Sequence, residues 1–198
     1  LEVQILQQVN FLEGGRAVKM AKRAGKFVTM DELIDEVGAD VAKYNFLTRK
    51  PNSHLDFDLD LAKEQSNENP VFYVKYAHAR ICSMLRKAAD EGVDPGPVTA
   101  GSLGNLTEDA EWNLVRELIR LPQVIVSAAG AREPHRLTAY IHEVAGLYHQ
   151  FYHQCHILVD DRKVSLARIH LSLATKFVLQ VVLDLIGVDA PESMGEKV

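Results

Sequence analysis

The stretch "NPVFYVKYAHARICSMLRKAAD", residues 69–90, decides how the chain is read. Asn69 suits a helix cap and Pro70 its first turn, so the spacing predicts one helix running to Asp90. At helical pitch, Ala77, Ile81, Met84 and Ala88 form one stripe, which should face a core. Tyr76, Arg80, Ser83 and Lys87 fall along one flank, and Tyr73 borders them. Such an aromatic, basic and hydroxylic strip suits a splayed single-stranded base and its phosphate. It equally suits tyrosines at a core margin with wet hydroxyls. From the residues alone both readings stand.

Working outward, the pattern downstream stays helical. "EGVDPGPVTAGSLGNL", residues 91–106, is rich in Gly and Pro and reads as a flexible loop. Thr107 should cap a helix to about Arg120, and Leu121-Pro122 should break it before a shorter one. Pro134 should open a helix to about His156, and a last one should run from Arg162 to Ile186. That last helix is apolar on most sides and should be central. Upstream, residues 3–12 read as a short strand and Gly14-Gly15 as a turn. Met30–Val37 and Ala39–Thr48 read as short helices, and residues 49–57 as a loop or extended link. The expected fold is mainly α: a helical bundle from about residue 58, preceded by a small mixed segment.

The 198 residues include 47% hydrophobic ones, enough for a real core, and the net charge is −5. An acidic chain is no general polyanion binder, so any phosphate or nucleic-acid site must come from local clustering. Two cysteines, Cys82 and Cys155, make no disulfide framework and suit a reducing compartment. No uninterrupted apolar run approaches about 18 residues, so no membrane span is expected. No signal peptide is visible, and a start at Leu1 hints at a piece of a longer protein.

Several chemistries find little support. His149 and His153 stand i, i+4 with Cys155 and His156 beyond, a spacing that can hold zinc, but no motif places a third ligand group and HExxH is absent. No metal site is therefore expected. Asp56, Asp58 and Asp60 alternate like the start of a calcium loop, which then fails at Leu61 and Asn67; helix capping is the better role. Neither GxSxG nor a catalytic Cys–His signature occurs. One segment runs against the overall charge: "GGRAVKMAKRAGKFVT", residues 14–29, has Arg16, Lys19, Lys22, Arg23 and Lys26 and no acid. It suits a mobile, glycine-flanked loop touching phosphates, or a solvated turn. It is not a P-loop.

Residues 18–85 strongly resemble the arginyl-tRNA synthetases, class I enzymes. "KMAKR", Lys19 to Arg23, is similar to their KMSKS loop. "HLDFDLDLA" followed by "NPVFYVKYAHARI" resembles the family's join into its anticodon-binding domain. "LIRLPQVIVSAAGAREPHRLTAYIHEVAGLYHQFYHQCHIL" and "LDLIGVDAPESM" resemble the rest of that helical domain, named for an Asp-Ala-Leu-Arg motif. The resemblance implies a division at residue 50: the end of a catalytic domain in 1–50 and a helical DALR-type domain in 51–198. It implies arginine–tRNA ligation with ATP and Mg²⁺, tRNA(Arg) as partner, a monomer and a cytoplasmic setting. Lys19 and Lys22 would stabilise the departing pyrophosphate, and Met20 would hold the loop. Ala21 stands where the family has a central Ser, which removes a hydroxyl donor but no charge. Arg23 at the last position is common in the family. Tyr73, Tyr76, Arg80, Tyr148, Tyr152 and Met194 would face the anticodon loop.

No HxGH sequence occurs, so the family's nucleotide fold would lie upstream, and the chain alone is expected to be inactive. Two other readings remain: a stand-alone RNA-binding module derived from a synthetase, and a helical metal-binding or protein-interaction bundle.

Overall fold

The structure, a computed structural model, describes Val3, residues 7–18 and residues 29–195. Two hydrophobic cores organise them.

The smaller core forms around a short sheet. β1 (Val9–Glu13) and β2 (Arg16–Ala17) make a hairpin through Gly14-Gly15. Both glycines have positive φ, 57° and 70°, which this two-residue turn requires and a Cβ would penalise. Gly14 N–H donates to Asp60 Oδ2 at 2.6 Å, so this end of the basic segment is a fixed turn. β3 (Leu55–Asp58) lies parallel to β1 on its other side, with Phe11 opposite Phe57. The sequence reading treated these residues as a link, because four residues carry too little alternation to announce a strand whose partner is 46 positions away. Parallel pairing needs a crossover, and α1 (Met30–Val37) and α2 (Ala39–Phe46) lie within it. Thr29 caps α1 by a reciprocal box with Glu32, 3.1 Å and 2.8 Å. Asp58 caps α3 (Leu59–Lys63) by accepting from Asp60 N and Leu61 N. Phe11, Leu33, Ala42, Phe57, Leu59 and Ala62 close the core. Residues 55–63 pack into this smaller core.

Asn69 joins this unit to the bundle. Its Oδ1 accepts from Val71 N at the start of α4 (Pro70–Asp90), and its Nδ2 donates to the carbonyls of Ala62 and Glu64 at 3.1 Å and 2.8 Å. Tyr44 of α2 makes a second link. Its buried hydroxyl donates to the Thr138 carbonyl, and Thr138 Oγ1 donates back to Leu47.

The larger core belongs to the bundle. After α4 the Gly- and Pro-rich loop carries one short helix, α5 (Ala100–Leu103). Then follow α6 (Asp109–Leu118), α7 (Leu121–Ala131), α8 (His135–Gln154) and α9 (Arg162–Ile186). The cap of α6 is Glu108 rather than Thr107, because the Glu111 carboxylate accepts from the N–H groups of both, at 2.8 Å and 2.7 Å. α9 is long and apolar enough to cross a membrane by length and composition. Here its Ile169, Leu179, Val182 and Leu183 are sealed inside the bundle, against α4, α5, α6 and α8.

One charge pair is buried with them. Arg168 Nε donates to Glu111 Oε1 at 2.6 Å and its Nη1 to the His156 carbonyl at 2.7 Å. With the two caps, Glu111 is bonded at both oxygens. Removing one partner leaves the other charge unpaired in an apolar medium. Arg168→Leu is expected to lower unfolding stability by about 3–5 kcal/mol, read from the urea midpoint by Trp112 fluorescence.

Candidate nucleic-acid interface

The core stripe of α4 falls where its spacing predicts: Ala77, Ile81, Met84 and Ala88 are buried. Its flank therefore rises to the surface beside α8. Tyr76 and Arg80 are half-buried, and Ser83 and Lys87 are exposed. On α8, Tyr152 is exposed and stands across from them.

Arg80 lies between two rings. Its Cζ is 4.5 Å from the Tyr76 centroid and 4.8 Å from that of Tyr152. Both distances suit cation–π attraction. Nη2 donates to Tyr76 Oη at 2.9 Å, and Nη1 lies 3.1 Å from His149 Nδ1. Among the described residues no carboxylate pairs with Arg80.

The chain beyond α9 supplies the third wall. Gly187 ends α9 in the left-handed region, and Val188 turns into the core. The tail is then held step by step. Lys43 Nζ donates to the Gly187 carbonyl at 2.8 Å, and Asp189 N–H to Asp40 Oδ2 at 3.2 Å. Asp40 also pairs with Lys75. His78 Nδ1 bonds the Pro191 carbonyl at 2.8 Å, and Arg86 Nη2 the Glu192 carbonyl at 3.3 Å. Met194 thereby reaches a cleft of about 380 Å³ lined by Tyr76, Arg80, Ser83, Arg86 and Tyr152. A second cleft of about 240 Å³, lined by Ser83, Lys87 and His156, shares Tyr152.

The structure thus brings Tyr76, Arg80, Tyr152 and Met194 together. Tyr73 sits beside the cleft rather than in it, its ring 4.7 Å from His149 and 5.0 Å from His142. Tyr148 is different. It is fully buried in the bundle core, and burial pushes its hydroxyl pKa well up, so it presents no surface to a ligand. The expectation that it faces an anticodon loop is corrected: four positions before Tyr152 on α8, it points to the core side and supports that residue from below. Lys19, Met20, Ala21, Lys22 and Arg23 lie outside the described residues. No group of three metal-ligating side chains occurs among the described residues, and His149 is occupied as a partner of Arg80.

Sequence reasoning missed Arg86 and the tail contacts. It also missed the part played by His149, whose only signal was helical spacing that suggested a metal instead.

These features define a helical bundle with a cationic aromatic cleft at one rim. Residues 74–194 match the model of the DALR anticodon binding domain. The chain belongs to that family. It is 49% identical over 194 residues to the arginine–tRNA ligase of Moorella thermoacetica and 48% identical to that of Carboxydothermus hydrogenoformans. Each match covers 98% of this chain and 35% of the relative. Among solved structures, an arginyl-tRNA synthetase from Campylobacter jejuni superposes with a TM-score of 0.82 at 30% identity, covering 96% of this chain and 40% of that one. That of Thermus thermophilus, at 24% identity, shares the fold with a TM-score of 0.75 over 94% of this chain and 34% of that one.

Burial lowers the His149 pKa to about 4, with the Arg80 charge adding to the effect. The unfolded value is about 6.5. Between those values the unfolded chain binds more protons, so stability is fully present above pH ~6.5 and falls as pH drops toward ~4. His149→Asn removes this titration. Urea titrations across that window are expected to show a shallower acid loss in the variant, by about 1–3 kcal/mol.

Proposed function

We propose that this chain acts as the tRNA-binding part of an arginine–tRNA ligase, gripping the anticodon loop of tRNA(Arg) at the Arg80 cleft. The observation that carries this reading is the convergence of Tyr76, Arg80, Tyr152 and Met194 on one cleft from three separate segments of a DALR-family bundle. The names of relatives that match 98% of the chain support the amino acid and the tRNA.

The chemistry suits an unpaired RNA loop. Splayed bases offer flat faces to aromatic rings, and each stack contributes about 1–3 kcal/mol. Arg80 adds charge and N–H donors to base edges or phosphate, and Arg86 and Lys87 flank it. The thioether of Met194 closes the cleft with an adaptable apolar surface.

In the whole ligase, arginine and ATP give arginyl-adenylate and pyrophosphate, and the arginyl group then passes to the terminal adenosine of the tRNA. The chain spans 35% of its relatives' length, and arginine, Mg²⁺ and most of the ATP would be held by the remainder. Lys19 and Lys22 are the residues of this chain that we expect to meet the leaving pyrophosphate, with Met20, Ala21 and Arg23 completing the loop. A cytoplasmic, monomeric enzyme is the accompanying reading.

Tyr76→Ala is expected to weaken binding of a tRNA(Arg) transcript by about 1–3 kcal/mol in low-salt titrations. An unchanged Kd with a native fold would return Tyr76 to the status of a core-margin aromatic. Tyr148→Ala should act on the melting temperature instead, through a lost core ring.

A further inference from the structure

His149 is almost wholly buried behind Arg80, its ring 4.7 Å from that of Tyr73 and 5.7 Å from that of Tyr76. Its two ring nitrogens have different partners. Nε2 lies 3.4 Å from the Tyr73 carbonyl, which can only accept. Nδ1 lies 3.1 Å from Arg80 Nη1, and a guanidinium can only donate. The two contacts fix the tautomer: the proton sits on Nε2, and the Nδ1 lone pair receives Arg80. The ring is therefore neutral where it meets the cation.

A partly buried arginine is ordinarily held by a carboxylate, which fixes the guanidinium and cancels its charge together. Arg168, buried in the bundle, has that arrangement: it is held by Glu111. Arg80 is held instead by an imidazole, a phenol oxygen and two ring faces, none of them charged. Its position is set and its charge is left uncompensated. Arg80 itself lines the cleft together with Tyr152 and Met194.

We propose that His149 is a positioning residue for RNA recognition: as a neutral acceptor it aims the Arg80 guanidinium at an incoming RNA acceptor without neutralising it. This rests on the reading of the cleft as an RNA-binding face. The same logic accounts for the ring's burial, which keeps a second positive charge from forming beside Arg80.

The test separates aiming from charge with near-isosteric variants. Asn at 149 can offer Oδ1 near the position of Nδ1 and stays neutral. Asp offers the same oxygen with a negative charge. Binding of a tRNA(Arg) anticodon stem-loop to the full chain is measured against salt for wild type, His149→Asn, His149→Asp, His149→Leu and Arg80→Ala, with melting curves for each. The expected result is binding within about threefold of wild type for Asn, and about tenfold weaker binding for Asp with the salt slope reduced by about one. Leu should weaken binding in an Arg80 background and cost nothing further when combined with Arg80→Ala. If Arg80→Ala binds like wild type, the RNA-face reading itself fails. If Arg80→Ala weakens binding but Asp and Leu do not, or if Asn is as weak as Asp in a folded protein, the role of His149 is overturned. Should Asp fail to fold, the Asn, Leu and double-variant comparison decides alone.

Discussion

The buried face of α9, with Ile169, Leu179, Val182 and Leu183, has to be covered, and that requirement shapes the rest of the chain. Once α4, α5, α6 and α8 cover it, α4 and α8 are neighbours with little freedom to rotate. Their inner faces, with Ile81 on α4 and Val144 on α8, are committed to the core that Leu179 of α9 shares. Their shared rim is then fixed, and on that rim Arg80 of one helix meets Tyr152 of the other. The cleft is a consequence of the core: neither helix could shift its flank without exposing its stripe. Even the buried charge obeys this constraint, since Arg168 sits on α9 and needs Glu111 of α6 at the same depth.

The two arginines of the interior show how context sets the use of one side chain. Arg168 is matched by a carboxylate and a carbonyl and serves the packing of the bundle. Arg80 is matched only by neutral groups, and so keeps its field. In an acidic chain this matters, because the net charge of −5 would repel a polyanion at long range. Attraction must be local, and among the described residues Arg80, Arg86 and Lys87 lie together on one helix at this rim.

Much of this was legible in the sequence. The bounds of α4 and α9 follow from Asn69-Pro70 and from Gly187, and the α4 flank follows from helical pitch alone. Gly14-Gly15 announced its turn. What stayed hidden depends on partners remote in the chain. β3 is a strand only because β1 runs beside it. Tyr148 and Tyr152 share an aromatic signature on α8, and only the neighbouring helices tell which is core and which is rim. His149 had the spacing of a metal ligand, yet its partner is an arginine 69 positions earlier. The tail after Gly187 carries few signals of its own, since backbone carbonyls make most of its contacts.

That tail also adds a second kind of contact to the bundle. Met194 and Ser193 come after every described helix of the bundle and reach the cleft through a segment with no regular structure. The interior closes around α9 by apolar packing, whereas the third wall of the cleft depends on polar bonds that lead the segment after Gly187 along Lys43, Asp40, His78 and Arg86. Core and cleft wall are thus held by different kinds of contact, one by apolar burial and the other by a short series of hydrogen bonds.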